Sequence, residues 1–379
     1  MNNNLKNIEV SGIRKFYNKV LKIDGAISLT LGQPDFKTPK AITDGIKKAI
    51  DDGKTVYTEN AGIGELREEI SNYLKSLGIS YSKDEICITV GGSEGIYAVL
   101  NTLLNPKDKI LIPSPGYPAY ESIAKILGAE VIEYGFKDDF SLDIEGIRKA
   151  IKEEGVKNLI LSFPSNPTGA ILSKEDRDKL IELIKKEDLT VVTDEIYASI
   201  IYDDYYSVAQ DESLKNNIIY ISGFSKMFSA TGLRIGYVCA SDAFMKEMMK
   251  VHQYFVSCAP SIVQYGIVEG LKKSKGDLEI MVKEFKRRRD YSFKRLKNMG
   301  LRVAEPKGAF YIFPSIKKYN LSSKEFCEKL LFEEKVALVP GDAFGSMGEG
   351  YFRISYCYSD EELKNAFDIL EKFIEKLNK

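Results

Sequence analysis

The stretch SGFSKMFSATGLRIGY, residues 222–237, contains one lysine, Lys226, and one arginine eight residues later, Arg234. A lysine amine can form a Schiff base with a carbonyl group, and a guanidinium group is well suited to binding phosphate. The small, hydroxyl and glycine residues around them indicate a backbone that lies close to a ligand. By itself, the stretch leaves two interpretations open: a reactive lysine with a phosphate partner, or an ordinary surface charge.

A second stretch, GGSEGIYAVL at residues 91–100, places two glycines and Ser93 at the predicted start of a helix. Exposed backbone N–H groups at a helix N-terminus can hold a phosphate group. The spacing matches neither GxGxxG nor GxxxxGK[ST], so it indicates neither a dinucleotide nor a nucleoside triphosphate. The alternative interpretation is an ordinary turn between a strand and a helix.

A third stretch, TDEIY, places Asp194 at the end of an apolar run and Tyr197 three residues later. A buried carboxylate needs a cationic partner, and a protonated ring nitrogen would be one. Alone, the pattern equally describes a helix N-cap with a packed tyrosine. Taken together, the three stretches require an aldehyde, a phosphate group and a ring nitrogen, and pyridoxal 5'-phosphate (PLP) carries all three.

Apolar runs typical of buried strands alternate with longer amphipathic stretches between about residues 40 and 270. The runs are ICITV (86–90), KILIP (109–113), NLILSF (158–163), LTVVT (189–193) and IIYIS (218–222). This alternation predicts an α/β fold, with a three-layer α/β/α domain around a mainly parallel sheet. Loops at the carboxyl ends of parallel strands converge, so we expect the unusual loops after these runs to face one ligand.

The chain is predicted to form two domains. A large cofactor-binding domain is expected over residues 40–272, and a smaller α+β domain over 273–379, completed by an N-terminal arm at 1–39. The segment SKEDRDKLIELIKKE is predicted to be a helix with Ser173 as its N-cap. The run KEFKRRRD at 283–290 alternates in charge and is predicted to be a solvated helix face.

Composition excludes several classes of protein. The 54 basic and 55 acidic residues give a net charge of -1, so no nucleic-acid surface is indicated. MNNNLKNIEV has no apolar core of a signal peptide, and no apolar run approaches the roughly 18 residues that span a bilayer. We therefore expect a cytoplasmic protein without a membrane partner.

Cysteine and histidine usage narrows the chemistry further. The five cysteines are scattered without a CxxC pair, which predicts small buried residues rather than a metal site or a disulfide framework. The single histidine, His252, lies in a helical pattern without a nucleophile motif such as GxSxG, so we expect it to have a packing or polar surface role. Proton transfer must then depend on Lys, Tyr, Asp or Glu.

Over essentially its whole length, the sequence resembles the PLP-dependent aminotransferases of fold type I, class I/II. The resemblance is carried, in family order, by LTLGQPDFKTP, VYTENAGIGELREEI, SPGYPAY, SFPSNPTG, TDEIY, SKMFSATGLRIGY, KGAFYIFP and YFRIS. The stretches EVSGIRKFYNKV, VHQYFVSCAPS and GAFYIFPSIK are most similar to aspartate, aromatic and N-acetyl-diaminopimelate aminotransferases. The implied substrates are an amino acid and a 2-oxo acid, with glutamate and 2-oxoglutarate as one pair.

The resemblance implies a role for each matching residue. Lys226 forms the Schiff base with the cofactor and then moves the substrate's α-proton, while Asp194 keeps the pyridine nitrogen protonated. Asn166 and Tyr197 hold the 3'-oxygen, and Tyr117 stacks on the ring. The remaining implied contacts are Gly92, Ser93, Glu94, Ser225 and Arg234 with the cofactor, Tyr57 with the cofactor of the neighbouring subunit in a homodimer, and Gly32, Asn166 and Arg353 with the substrate carboxylate.

Two positions depart from the family pattern. Gly223 occupies a position where several branches carry a serine, which leaves Ser222 or Ser225 to contact the phosphate group. Tyr120 occupies a position where some members carry a histidine, and we hypothesise that it orients Asp194. Two alternatives to transamination remain: a PLP-dependent β-lyase of the cystathionine β-lyase kind, and a PLP-binding regulator without catalysis.

Overall fold

The computed structural model describes residues 3–8 and 11–378; residues 1, 2, 9 and 10 of the predicted arm and residue 379 lie outside the described residues. The helices are α1 (Gly12–Val20), α2 (Lys40–Asp51), α3 (Gly64–Ser76), α4 (Gly91–Leu103), α5 (Ala119–Ile126), α6 (Ile144–Glu154), α7 (Lys174–Glu187), α8 (Phe224–Met227), α9 (Asp242–Phe255), α10 (Ser261–Lys273), α11 (Lys275–Asn298), α12 (Ser323–Glu334) and α13 (Asp360–Leu377). The strands are β1 (Ile27–Ser28), β2 (Ile86–Thr89), β3 (Lys109–Pro113), β4 (Glu130–Tyr134), β5 (Asn158–Ser162), β6 (Thr190–Asp194), β7 (Ile218–Gly223), β8 (Gly236–Cys239), β9 (Tyr311–Ile312), β10 (Val336–Ala337), β11 (Val339–Pro340) and β12 (Phe352–Ser355).

The largest sheet of the described chain has seven strands in the order β2-β8-β7-β6-β5-β3-β4. Only β8 runs against its neighbours, and the other pairings that the sheet contains are parallel. The predicted mainly parallel sheet is therefore confirmed. Two of its strands, β4 and β8, were not predicted. Strand β4 lies at the edge and is only partly buried, so it lacks the continuous apolar pattern of the central strands.

Helices cover both faces of this sheet and make it the middle of three layers. Along β6, Val191 packs into one apolar core and Val192 into the other, because successive side chains of a strand point to opposite faces. One core includes residues of α2, α3, α6, α7 and α10, and the other includes residues of α4, α5 and α9. The three-layer arrangement places the carboxyl ends of the parallel strands at one edge.

A further apolar core joins the two ends of the chain. It combines residues of α11, α12 and α13 with Phe16 and Val20 of α1 and with Leu29. Strand β1 pairs in parallel with β10, while β11, β12 and β9 form an antiparallel sheet. The N-terminal segment thus packs with the C-terminal elements. The domain boundaries at residues 39 and 272 stay a prediction.

Local predictions on two helices had opposite outcomes. Ser173 is the N-cap of α7, and its hydroxyl accepts a hydrogen bond of 3.0 Å from the Asp176 N–H group. In contrast, the prediction that residues 283–290 form a solvated face was wrong for Arg288 and Arg289, which are buried in α11. Arg288 donates to both oxygens of Asp35, at 2.8 and 3.0 Å, and this pairing with a distant carboxylate permits its burial.

Candidate active site

A cavity of about 260 Å³ opens at the carboxyl ends of β5, β6 and β7, near the start of α4. Most residues that the sequence predicted for a cofactor or substrate line it. They are Gly32, Gly92, Ser93, Tyr117, Asn166, Asp194, Tyr197, Ser225, Lys226, Arg234 and Arg353. The topology therefore brings together residues that are more than 300 positions apart in the chain.

Lys226 lies on α8, directly after β7, and its amine faces this cavity. The Nζ atom donates a hydrogen bond of 2.6 Å to the carbonyl oxygen of Gly32. Burial lowers the pKa of Lys226 from 10.5 to about 8; Cys357 opposes this shift, and the positive charges of Arg353 and Arg234 add to it. A substantial share of the amine is therefore neutral near physiological pH, as a nucleophile or base requires.

Asp194 ends β6, and its carboxylate points into the same cavity. Its Oδ2 atom accepts a hydrogen bond of 2.6 Å from the Tyr120 hydroxyl, which also lies 3.1 Å from the Ser162 hydroxyl. Its Oδ1 atom accepts one from the Ile196 N–H group at 3.2 Å. Burial raises the pKa of Asp194, although these hydrogen bonds oppose the shift. A cationic ring nitrogen in the cavity would compensate for this burial.

The start of α4 and Arg234 form the end of the cavity suited to an anion. Gly92 and Ser93 lie in the first turn of α4, where backbone N–H groups are not used within the helix. Gly91 has a φ of 73°, and a Cβ atom there would lie 2.4 Å from the Arg234 Nη2 atom. Glycine at position 91 thus lets the guanidinium group lie against the helix start, and the two together fit a phosphate group.

The position of Gly223 explains the missing serine. A Cβ atom at this residue would lie 2.9 Å from the Gly236 Cα atom and 3.0 Å from the Ile235 carbonyl oxygen, so a side chain requires the neighbouring backbone to shift. The Ser222 hydroxyl donates to the Glu195 carbonyl oxygen at 3.0 Å. Of the two candidate serines, Ser225 lines the cavity and Ser222 does not.

Arg353 lies on β12, and its buried side chain lines the same cavity. It donates to the Asn166 Oδ1 atom at 2.8 Å and to the Thr30 carbonyl oxygen. The Tyr311 ring lies beneath it, with the guanidinium carbon 4.4 Å from the ring centroid. Within the described chain, its Nε atom has no hydrogen-bond partner. A buried donor without a partner at a cavity wall fits a carboxylate ligand.

Tyr311 is a cavity residue that sequence reasoning did not single out. Its hydroxyl lies 2.7 Å from the Tyr197 hydroxyl, and a Cβ atom on Gly32 would lie 1.8 Å from it. Only glycine therefore fits at position 32 while Tyr311 occupies this place. The motif KGAFYIFP contained the signal, since it supplied part of the family resemblance without a role for its tyrosine.

Two predicted residues do not line this cavity. Tyr57 is 83% exposed. The Glu94 carboxylate turns back along α4, where Oε2 accepts from the Val90 N–H group at 3.0 Å and Oε1 lies 3.1 Å from the His252 Nδ1 atom. The Glu94 side chain thus contacts the backbone and an imidazole ring rather than the cavity, and its role as a cofactor contact stays a prediction.

Residues 3–8 and 11–378 contain no group of three or more His, Cys, Asp or Glu side chains placed to hold a metal ion. No helix within these ranges is long and apolar enough to cross a membrane.

Comparison with known proteins agrees with this geometry. The family model "Aminotransferase class I and II" matches residues 24–370. A Bacillus subtilis relative named "Probable N-acetyl-LL-diaminopimelate aminotransferase" is 43% identical over 99% of this chain and 96% of its own. The aromatic aminotransferase of Pyrococcus horikoshii has a TM-score of 0.90 at 37% identity, covering 95% of this chain and 99% of its own. The aspartate aminotransferase of Thermus thermophilus, solved with maleate, has a TM-score of 0.93 at 30% identity, covering 98% and 99%.

The match spans nearly the whole chain, in sequence and in fold. It confirms the predicted family, the fold and the transaminase class of enzyme. The buried lysine, the helix N-terminus with its arginine and the buried aspartate supply what the family's cofactor needs. This chain therefore belongs to the class I and II aminotransferases, enzymes of fold type I that depend on pyridoxal 5'-phosphate.

Proposed function

We propose that this enzyme transfers an α-amino group between an L-amino acid and a 2-oxo acid, with Lys226 as the residue that bonds to the cofactor and moves the proton. The observation that carries the proposal is the Lys226 amine, buried with a pKa of about 8 in the same cavity as Asp194, Arg234 and Arg353. The two arginines of this cavity suit a ligand pair with a phosphate group and a carboxylate.

The bound cofactor supplies an aldehyde and a ring that withdraws electrons from the substrate's α-carbon. With the cofactor bound, Asp194 would hold a proton on the ring nitrogen, because its buried carboxylate needs a cationic partner. Asn166 and Tyr197 would hold the 3'-oxygen, and Tyr117 would stack on the ring. Lys226 would remove the proton from the α-carbon, for which its lowered pKa suits it.

Phosphate binding is assigned to Gly92, Ser93, Ser225 and Arg234. The support is electrostatic: the positive end of the α4 dipole and the guanidinium group act on the same region of the cavity. Their fixed positions require no rearrangement when a dianion binds.

The substrate carboxylate is assigned to Arg353, with Asn166 and the backbone of Gly32 beside it. Arg353 is supported by its partnerless Nε atom. We further propose glutamate and 2-oxoglutarate as one substrate pair. The Thermus relative supports a dicarboxylic substrate, because it was solved with maleate.

We also infer a homodimer in which Tyr57 reaches the cofactor phosphate of the neighbouring subunit. Tyr57 is 83% exposed and Val56 beside it is 69% exposed, so the two form an adjacent apolar pair that a second subunit would cover. Sedimentation of the purified protein tests this inference: a monomer at micromolar concentration would contradict it. The cytoplasmic location stays a prediction of the sequence.

A half-reaction screen tests the proposed reaction. The enzyme loaded with PLP is mixed with single amino acids, and its absorbance is followed as the cofactor converts to the pyridoxamine form. Glutamate is expected to convert the cofactor, and added 2-oxoglutarate to reverse the change. Release of pyruvate and ammonia from cystathionine without any oxo acid would instead indicate a β-lyase.

A further inference from the structure

His252 is a fully buried side chain on α9 that the proposed reaction does not use. Its Nδ1 atom lies 3.1 Å from the Glu94 Oε1 atom, and its Nε2 atom lies 3.0 Å from the Asn60 carbonyl oxygen. A carbonyl oxygen can only accept a hydrogen bond. Glu94 accepts a hydrogen bond from the Val90 N–H group through its other oxygen, Oε2. With Glu94 as a carboxylate, both ring nitrogens carry a hydrogen, which makes the ring an imidazolium cation.

The groups that face the ring favour this charged state. Burial alone lowers the pKa of His252, but hydrogen bonds and charges from Cys87 on β2 and Glu94 on α4 outweigh it and raise the pKa to about 10. Burial raises the pKa of the Cys87 thiol. Beside Asn60, Glu59 is paired with Arg67 and contributes little net charge.

The imidazolium ring contacts two segments, and the proposed function assigns each segment to a different cofactor molecule. Glu94 lies in the first turn of α4, one residue after Ser93, in the helix start assigned to phosphate binding. Asn60 lies in the segment of residues 56–63, which includes Tyr57. The Asn60 side chain in turn donates to the carbonyl oxygens of Val256 and Ser257, at 3.1 and 2.9 Å, so the segment is held from two sides.

The positive charge of the ring also affects the binding of an anion at the start of α4. A carboxylate in the first turn of α4 would repel a phosphate dianion bound at the same helix start. A cation 3.1 Å from that carboxylate cancels most of this repulsion. A neutral residue of the same shape would keep the packing but lose this effect.

We propose that His252 is a positioning residue. As an imidazolium, it ties the phosphate-binding start of α4 to the segment that carries Tyr57. One side chain then holds in place both the phosphate site of its own subunit and the tyrosine that contacts the cofactor of the partner subunit. The tie consists of hydrogen bonds within the chain. Its role in cofactor binding rests on the proposed function, because that role requires bound PLP and a contact between Tyr57 and the cofactor of the partner subunit.

The charge state can be measured directly, because His252 is the only histidine in the chain. Labelling with ¹⁵N-histidine gives a single ring in the NMR spectrum of the PLP-loaded enzyme. Both ring nitrogens are expected to show the shifts of an imidazolium at pH 7.5. In Glu94→Gln, which keeps an oxygen acceptor for Val90, the ring is expected to become neutral at a lower pH. A neutral ring in the wild-type enzyme at pH 7.5 would overturn the inference.

The tie itself is tested by hydrogen exchange in the full-length, PLP-loaded enzyme. His252→Gln is expected to accelerate amide exchange in residues 56–63 and in residues 90–95, and to release PLP about tenfold faster, as for one lost hydrogen bond to a charged group. The matched control is Gln264→Ala. Gln264 holds the same segment through Thr58 and Ile63, and within the described residues it makes no hydrogen bond to α4, so exchange should rise in residues 56–63 alone.

Faster exchange in only one segment of His252→Gln, or in neither, would contradict the tie. If His252→Gln does not fold, the ring spectrum of the wild-type enzyme still decides the charge state. If the wild-type enzyme binds no PLP, the proposed function fails, and the ring spectrum and the exchange pattern of the unloaded protein still test the tie separately.

Discussion

Two adjacent carboxylates at the end of β6 lie in very different surroundings. Asp194 and Glu195 are both buried, and burial raises the pKa of both, to about 7 for Glu195. Asp194 points into the cavity and receives one hydroxyl and one N–H donor. Glu195 does not line that cavity and receives the hydroxyl groups of three residues: Thr193, Tyr205 and Ser207.

Burial and a raised pKa do not by themselves identify a functional carboxylate. Burial and a raised pKa are common to both residues, so neither property separates them. Asp194 keeps acceptor capacity on the side of a cavity that also contains the Lys226 amine. The acceptor capacity of Glu195 is used inside the protein, by donors from β6 and from the segment that follows it. We therefore expect Asp194 to act on the cofactor and Glu195 to act on stability.

The largest effect is expected at the amine that faces Asp194 across the cavity. Lys226→Ala removes both the group that bonds to the cofactor and the base, so kcat should fall by at least about 10⁴-fold. Borohydride treatment followed by mass spectrometry should no longer trap PLP on the protein. A variant that kept turnover and the trapped link would refute the assignment of Lys226.

The comparison itself is tested by matched substitutions. Asp194→Asn should lower kcat by about 10³-fold, in the range of a broken buried charge pair, and should shift the absorbance titration of bound PLP. Glu195→Gln should leave kcat within about threefold and the titration unchanged. Equal losses of kcat in the two variants would contradict the separate roles of Asp194 and Glu195.

The stability role of Glu195 predicts a dependence on pH. The unfolded carboxyl group releases its proton near pH 4.5, whereas the folded one keeps it up to about pH 7. Between these values the folded state binds more protons, so the free energy of unfolding falls as pH rises, by about 3 kcal/mol in total. Urea unfolding of the cofactor-free protein measures this fall between pH 5 and 8.

Glu195→Gln should remove this contribution. A separate fall due to Asp194, whose pKa is raised in the same direction, should remain. An unchanged fall in the variant would contradict the role given to Glu195.

The smallest effect is expected at Tyr120, which donates to Asp194. Tyr120→Phe removes one hydrogen bond to a carboxylate, so kcat should fall about tenfold and the absorbance titration of bound PLP should shift. The matched control is Tyr134→Phe, a buried tyrosine that donates to the Ile160 carbonyl oxygen at 2.9 Å and does not line the cavity. Unchanged turnover and titration in Tyr120→Phe would reject the hypothesis that it orients Asp194.

Much of this fold could be predicted from local patterns. The central strands are buried on both faces, so β3 appears as an unbroken apolar run whose predicted bounds are those of the structure. Ser173 could be predicted because an N-cap depends only on residues a few positions away. Strand β4 was missed because an edge strand is only partly buried and lacks that pattern.

The sequence by itself determined the family, the cofactor and the motifs at the strand ends, because these depend on residue types and their order along the chain. The tertiary structure decided which way each side chain points and which distant residue it contacts. It placed Ser225 at the cavity and turned Ser222 to Glu195, buried Arg288 against Asp35, and paired Glu94 with His252, 158 positions away. These contacts join segments that are distant in the chain, and their geometry exists only once the layers have packed.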